Sequence, residues 1–204
     1  MTYIELQTLV AQYMHRVDLG TDIPGFIELA RTRINRDMRV RENIKTATET
    51  PTLNPRDLPA DFLEMRDIYH FPGSRRMALT MVGRRELDSY ANDSVDGGPI
   101  IYSIDGIQLE TQPGGVGIEF TLLYYAAVPE LVADADTNLL MSTYPMTWLY
   151  ATLIEGHTFT QDLQLVQESV TNYTSELEQA NSAAKAAESG AGLRVSGSHA
   201  WFGG

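Results

Sequence analysis

The sequence predicts an α+β protein with a helical bundle built from N- and C-terminal helices, an inserted and mostly antiparallel β lobe, and an extended C-terminal tail. Three observations lead to this prediction. Apolar residues recur at helical spacing in both end regions of the chain. The middle alternates as strands do, around the turn-favouring pair Asp105–Gly106. Residues 190–204, GAGLRVSGSHAWFGG, contain five glycines and too few apolar side chains to fold alone.

Two helices are expected near the N-terminus. Thr2 and Glu5 have the spacing of a capping box, which predicts a helix over residues 2–17. After the break DLGTD, Pro24 is tolerated in the first turn of a second helix over about 23–41. Arginines lie opposite its apolar stripe, and they are explained either by a solvated face or by contact with another subunit. They are Arg33, Arg36 and Arg39.

The middle of the chain is predicted to form four to six strands. IKTATETPTL and LPADFLEMRDIYHF have strand character, and GRRELDSYA is expected to form a short helix. PIIYSIDGIQLET predicts a hairpin with a type I′ turn centred on Asp105–Gly106. After the loop QPGGVG, IEFTLLYYAAV predicts one more strand.

The last third is predicted to be helical again. One helix is expected from about 145 to 158, and a longer one over 161–187 is capped by Thr160 or Asp162. Apolar residues of this helix recur every three or four positions and form a seam, which is typical of a coiled coil or bundle. The seam residues are Leu163, Val166, Val170, Tyr173, Leu177, Ala180 and Ala184. The predicted domains are therefore a bundle of residues 1–43 and 131–188, a β-rich lobe of 44–130, and a docking tail of 189–204.

The charge is unevenly distributed along the chain. The net charge is −12, and residues 1–90 hold 13 of the 15 basic and 13 of the 27 acidic side chains, so the whole excess follows residue 90. An acidic surface disfavours wrapping of nucleic acid and suits the wall of a channel through which DNA passes without binding. The need for solubility explains the charge equally simply. We expect no membrane partner, since no apolar run approaches the ~20 residues of a membrane-spanning helix.

No motif predicts catalysis, a cofactor or a metal ion. The chain has no cysteine, and the phosphate-loop, dinucleotide, nucleophile-elbow and zinc-protease motifs are absent. DADTN begins like a calcium-binding loop, but Leu139 and Pro145 stand where glycine and glutamate are required, so a cap or turn is favoured. The charged group Arg56, Asp61, Glu64, Arg66 and Asp67 is interpreted as surface ion pairs. A hydrolase acting through Asp and Glu side chains stays an alternative to a non-enzyme.

Several segments resemble one family, the head-to-tail adaptor (connector) proteins of short-tailed bacteriophages of the tail tubular protein A type. FIELARTRINRDMRVRE resembles its second helix, and LPADFLEMRDIYH resembles its entry into the β region. LLYYAAVPELVADADTNLLMSTYPMTWLYATLIEG is similar to its strand, polar loop and first C-terminal helix. The resemblance covers roughly residues 3–198, and SHAWFGG lies beyond it.

The resemblance implies a structural role in the virion, at the head–tail junction, with assembly in the host cytoplasm. It implies a ring, probably of twelve subunits, that joins the portal protein to the distal tail (nozzle or fibre) proteins and continues the channel for double-stranded DNA. In such a ring Arg33, Arg36 and Arg39 would face acidic side chains of the next subunit. The hairpin at Asp105 and Gly106 would face the distal tail component.

The aromatic residues of the C-terminal tail need a separate explanation. We expect the tail to dock on the portal, with Leu193, Val195, Trp201 and Phe202 as apolar anchors and Arg194 as the charge. The simpler interpretation is a loose end whose aromatic residues are incidental. A rival function is a DNA-binding or regulatory module that uses the arginine-rich helix over 31–41, although the acidity of the chain argues against it.

Overall fold

The computed structural model describes residues 1–16, 18–90 and 98–188, and over these ranges it confirms the α+β class. The chain divides into two compact units, one of residues 1–42 with those from 129 onward and one of residues 43–128. Among the described helices, none combines the length and apolarity that crossing a bilayer requires. The predicted tail, 189–204, lies outside the described residues.

Six helices and eight short strands account for the regular structure of the described ranges. In chain order they are α1 (Tyr3–Met14), α2 (Ile23–Asp37), β1 (Ile44–Glu49), β2 (Arg56–Asp57), β3 (Phe62–His70), β4 (Met77–Ala78), β5 (Thr80–Met81), α3 (Arg84–Ser89), β6 (Ile101–Asp105), β7 (Gln108–Gln112), β8 (Phe120–Ala126), α4 (Leu139–Thr143), α5 (Pro145–Phe159) and α6 (Leu163–Glu188). A 3-10 turn over Arg41–Asn43 precedes β1.

Helix α5 forms the centre of the first unit. It packs against α1, α2, α4 and α6. Its sequence is apolar nearly all round, as expected of a helix surrounded by others, and Trp148 and Leu149 are fully buried. Because α5 spans Pro145–Phe159, the predicted bounds of about 145–158 are confirmed to within a residue.

The N-terminal helices form where predicted but end earlier. Thr2 and Glu5 make the capping box in both directions, and α1 stops at His15, whose backbone is left-handed (φ 51°). Helix α2 ends at Asp37 because Met38 is extended (φ −100°, ψ 125°), so the expected continuation to residue 41 is wrong.

The second unit consists of two sheets that pack face to face. Sheet A has the order β1-β8-β3-β4, and sheet B has the order β2-β7-β6-β5. All pairs are antiparallel except β5 with β6. Alternate residues of β8 are buried, and with Tyr102 and Leu109 of sheet B they form one core. Both sheets contribute to this core, which explains the period of two in the sequence.

The hairpin of β6 and β7 is confirmed, but its turn lies one residue later than predicted. Asp105 pairs with Gln108, so Gly106 and Ile107 are the two loop residues. Of these two residues, only Gly106 has a positive φ (61°). Glycine at the first loop position is the pattern of a type II′ turn, whereas type I′ requires positive φ at both positions.

Helix α6 is the long C-terminal helix that the seam predicts. The Asp162 carboxylate accepts the Leu165 N–H at 3.1 Å, so Asp162 and not Thr160 supplies the side-chain cap. Tyr173, Ala180 and Ala184 of the predicted seam are buried, whereas Leu163 is exposed. The seam therefore packs along its middle and distal parts only.

Candidate interaction surfaces

The arginines expected to face a neighbouring subunit all make contacts within their own chain. Arg33 donates from Nη2 and Nε to Glu155 Oε1 on α5, at 2.5 and 3.1 Å. Arg36 pairs with the adjacent Asp37 at 2.6 Å, and its side chain is 70% exposed. Arg39 donates from Nη1 to main-chain carbonyls at the end of α2, where a cation is favoured by the helix dipole.

A polar junction ties the end of α2 to α6. The Tyr173 hydroxyl donates to Asp37 Oδ2 at 3.2 Å. The Asn181 side chain accepts the Arg39 N–H at 3.0 Å and donates to the Asp37 carbonyl at 3.3 Å. Burial alone would raise the pKa of Asp37, but the hydrogen bonds from Arg36 and Tyr173 outweigh it and lower that pKa. Burial, followed by the nearby Asp37 charge, raises the pKa of Tyr173.

The rest of the arginine-rich stretch is also neutralised locally. Arg31 pairs with Glu28 at 2.5 Å, and Arg41 pairs with Glu42 at 2.9 Å. An arginine that already pairs with a carboxylate gains less free energy from binding a DNA phosphate, because the existing ion pair must be broken or shared. This geometry disfavours DNA binding by residues 31–41.

The hairpin at Asp105 and Gly106 is held by Arg84 of α3. Arg84 contacts Glu110 at 2.5 Å, Asp88 at 3.2 Å and Asp105 at 3.4 Å. The hairpin tip presents Ile107, which is 72% exposed. Ile107 was not among the predicted residues, because the predicted turn lies one residue too early.

A second exposed site lies around β2 and was also missed. Glu49, Arg56, Asp57 and Gln108 line an open depression of about 380 Å³ together with the loop of residues 50–55. Arg56 is buried and not at the surface as interpreted from sequence: its Nε donates to Glu49 at 2.5 Å, and its Cζ lies 4.6 Å from the centre of the Phe120 ring. Its Nη1 and Nη2 have no hydrogen-bond partner within the described ranges.

The remaining charged groups of the sequence analysis have structural roles. Asp61 pairs with Lys45 at 2.5 Å, and Asp67 pairs with Arg76. Asp136 Oδ2 accepts the Val132 and Ala133 N–H groups at 2.8 Å, as the predicted turn in DADTN requires. Within residues 1–16, 18–90 and 98–188, no group of three or more His, Asp or Glu side chains is placed to hold a metal ion.

The predicted portal-binding residues belong to the C-terminal tail. Leu193, Arg194, Val195, Trp201 and Phe202 all lie outside the described residues. Their role therefore stays a prediction from sequence.

Comparison with protein families identifies a match that covers nearly the whole chain. A family model described as SU10 adaptor protein matches residues 1–197, nearly the whole chain, whereas the curated proteins contain no match. The family match confirms the resemblance to phage head-to-tail adaptors. It gives the chain a structural adaptor role in a bacteriophage, with partners at the head–tail junction, and that role is not an enzymatic one. The chain therefore belongs to the SU10 adaptor protein family.

Proposed function

We propose that the protein forms a ring at the head–tail junction, joins the portal protein to the tail, and continues the DNA channel. The observation that carries this proposal is the family match over residues 1–197. We place the ring at twelve subunits, assembled in the host cytoplasm and retained in the virion.

The charge of the chain supports a channel role. The net charge is −12, and the arginines of α2 are neutralised within the chain. An acidic wall repels phosphates, so double-stranded DNA passes during ejection without being bound. A sequence-specific DNA-binding protein would need the opposite arrangement of charge.

The C-terminal tail supplies the portal contact in this proposal. Residues 190–204, which include Leu193, Arg194, Val195, Trp201 and Phe202, reach at most ~50 Å when extended, enough to enter a cleft on another protein. Glycines raise the ordering cost of each tail, but several tails on one ring bind jointly, so a modest affinity per tail suffices.

Two surfaces of the described chain complete the proposal. The hairpin at Asp105 and Gly106, in which Arg84 contacts Asp105 and Ile107 lies at the tip, faces the nozzle or fibre protein. Of Arg33, Arg36 and Arg39, Arg36 is the best placed to reach a neighbouring subunit because it is the most exposed. Arg33 and Arg39 support that surface by fixing the end of α2.

The test is native mass spectrometry of the protein mixed with purified portal. We expect a complex of twelve plus twelve chains, and we expect deletion of residues 190–204 to abolish it while the circular dichroism spectrum is kept. A wild-type chain that stays monomeric with portal would contradict the ring. Tight, salt-sensitive binding of linear DNA would favour the rival DNA-binding module.

A further inference from the structure

We propose that neighbouring copies in the ring join through opposite edges of sheet B, with the β2 edge of one copy beside the β5 edge of the next. The β2 edge is defined here as residues 53–57, and the β5 edge as residues 80–85. This inference rests on the proposed ring and names the surfaces that close it.

Sheet topology supplies the first argument. In the order β2-β7-β6-β5 the two outer strands each lack a neighbouring strand on one side among the residues that the structure describes. β2 is antiparallel to β7, β7 is antiparallel to β6, and β6 is parallel to β5, so β2 and β5 point the same way. Copies related by rotation about a ring axis are not inverted, and they bring these two strands together in parallel. Such a head-to-tail contact between two different surfaces is what a closed ring requires.

The β2 edge offers a recess, an apolar side chain and a carboxylate. Leu53 is 70% exposed beside the depression of about 380 Å³. Asp57 is exposed and has no ion pair within the described part of the chain.

The β5 edge offers the complementary groups. Thr80 and Met81 are both exposed, and Met81 is 59% exposed. Arg85, on the helix that follows, is exposed and makes no ion pair with any described residue. An apolar side chain and a cation on one edge thus match an apolar side chain and a carboxylate on the other. Each of the two strands has only two residues, so few main-chain hydrogen bonds can form between them. Side-chain contacts must therefore contribute to the interface as well.

Charge reversal tests the pairing. We expect Asp57→Arg and Arg85→Glu each to lower the yield of rings on portal more than ten-fold, and the double variant to recover most of it. Arg75→Glu, an exposed arginine between the strands of sheet A, is the matched control and should leave the yield unchanged. Full yield in both single variants would overturn the proposal, and so would a double variant that assembles no better than they do.

Cross-linking gives a second measurement that does not depend on charge, because the chain has no cysteine of its own. We expect Leu53→Cys with Met81→Cys, treated with a short bismaleimide on assembled rings, to give a ladder of covalent multimers. The pair Arg75→Cys with Met81→Cys should give none, because Arg75 is exposed in the segment between the strands β3 and β4 of sheet A. A ladder from the control pair alone would overturn the proposed edges. Failure of the wild-type chain to form any ring would instead refute the proposed function.

Discussion

The Arg33–Glu155 pair is predicted to stabilise the isolated chain, independently of any ring. We consider Arg33→Met, which keeps most of the aliphatic stem and removes the charge, Glu155→Gln, and the two combined. The side chains are only 28% and 18% exposed, and the two nitrogen atoms of Arg33 share one carboxylate oxygen. The pair is thus mostly shielded from water without being fully buried.

The expected magnitude lies between two limits. Fully exposed pairs contribute about 0–1 kcal/mol, and hydrogen bonds to charged groups contribute about 1.5–3 kcal/mol. We expect each single change to lower the free energy of unfolding by about 2 kcal/mol, and the double change to cost little more. With a urea slope of about 2 kcal/mol/M, the midpoint should fall by about 1 M.

Tryptophan fluorescence in urea is the assay. In a Trp201→Phe background Trp148, fully buried in α5, is the single reporter of the bundle. Arg36→Met is the matched control, because its 70% exposed side chain should change the stability by less than about 0.5 kcal/mol. An Arg33→Met monomer that is as stable as the control but fails to assemble into rings would contradict an internal role, because that pattern places Arg33 between subunits.

Three further predictions concern packing, capping and pH. Gly115→Ala should destabilise the lobe by about 1–3 kcal/mol and so lower its melting temperature, because the new Cβ would lie 2.7 Å from Phe120 Cζ. Gly114→Ala, whose new Cβ meets nothing within 4 Å, should leave the melting temperature unchanged. Asn181→Ala removes two hydrogen bonds to the end of α2 and should cost about 1–3 kcal/mol in urea unfolding, whereas no change would mean that water replaces them. Burial lowers the pKa of His157, so its contribution is present above pH 6.5 and is lost as the pH falls through the lowered value. His157→Gln should flatten the decline in urea midpoint between pH 7.5 and 4.5, and an unchanged decline would contradict this.

The sequence is most informative where the folding signal is local. The capping box of Thr2 and Glu5, the helix α5 and the strand β8 each depend on residues a few positions apart, and each of these elements was predicted. The hairpin was also found, but the turn type was wrong. A pair such as Asp105–Gly106 fits two registers, and only pairing across the whole ladder selects one of them.

The prediction fails where a distant residue decides the outcome. Helix α2 has no local stop signal at residue 38, and the N–H of Arg39 is taken by Asn181, 142 positions away. Glu155, the partner of Arg33, is likewise 122 positions away. The sequence around an arginine therefore does not show whether it is exposed to solvent or paired within the chain. The strands β2 and β5 have two residues each, too few to show any alternation.

The surfaces that recognise other copies follow from which charges are already used. A guanidinium that donates to a carboxylate of its own chain contributes to a subunit contact only by breaking or sharing that bond, and this cost offsets the gain. By that criterion Arg33 stabilises the subunit. Asp57 and Arg85 are exposed at opposite edges of one sheet, and they break no ion pair with a described residue when they pair with another copy. The bundle therefore offers the proposed ring mainly the exposed Arg36, and the internal ion pairs favour the β lobe for the contacts that close it.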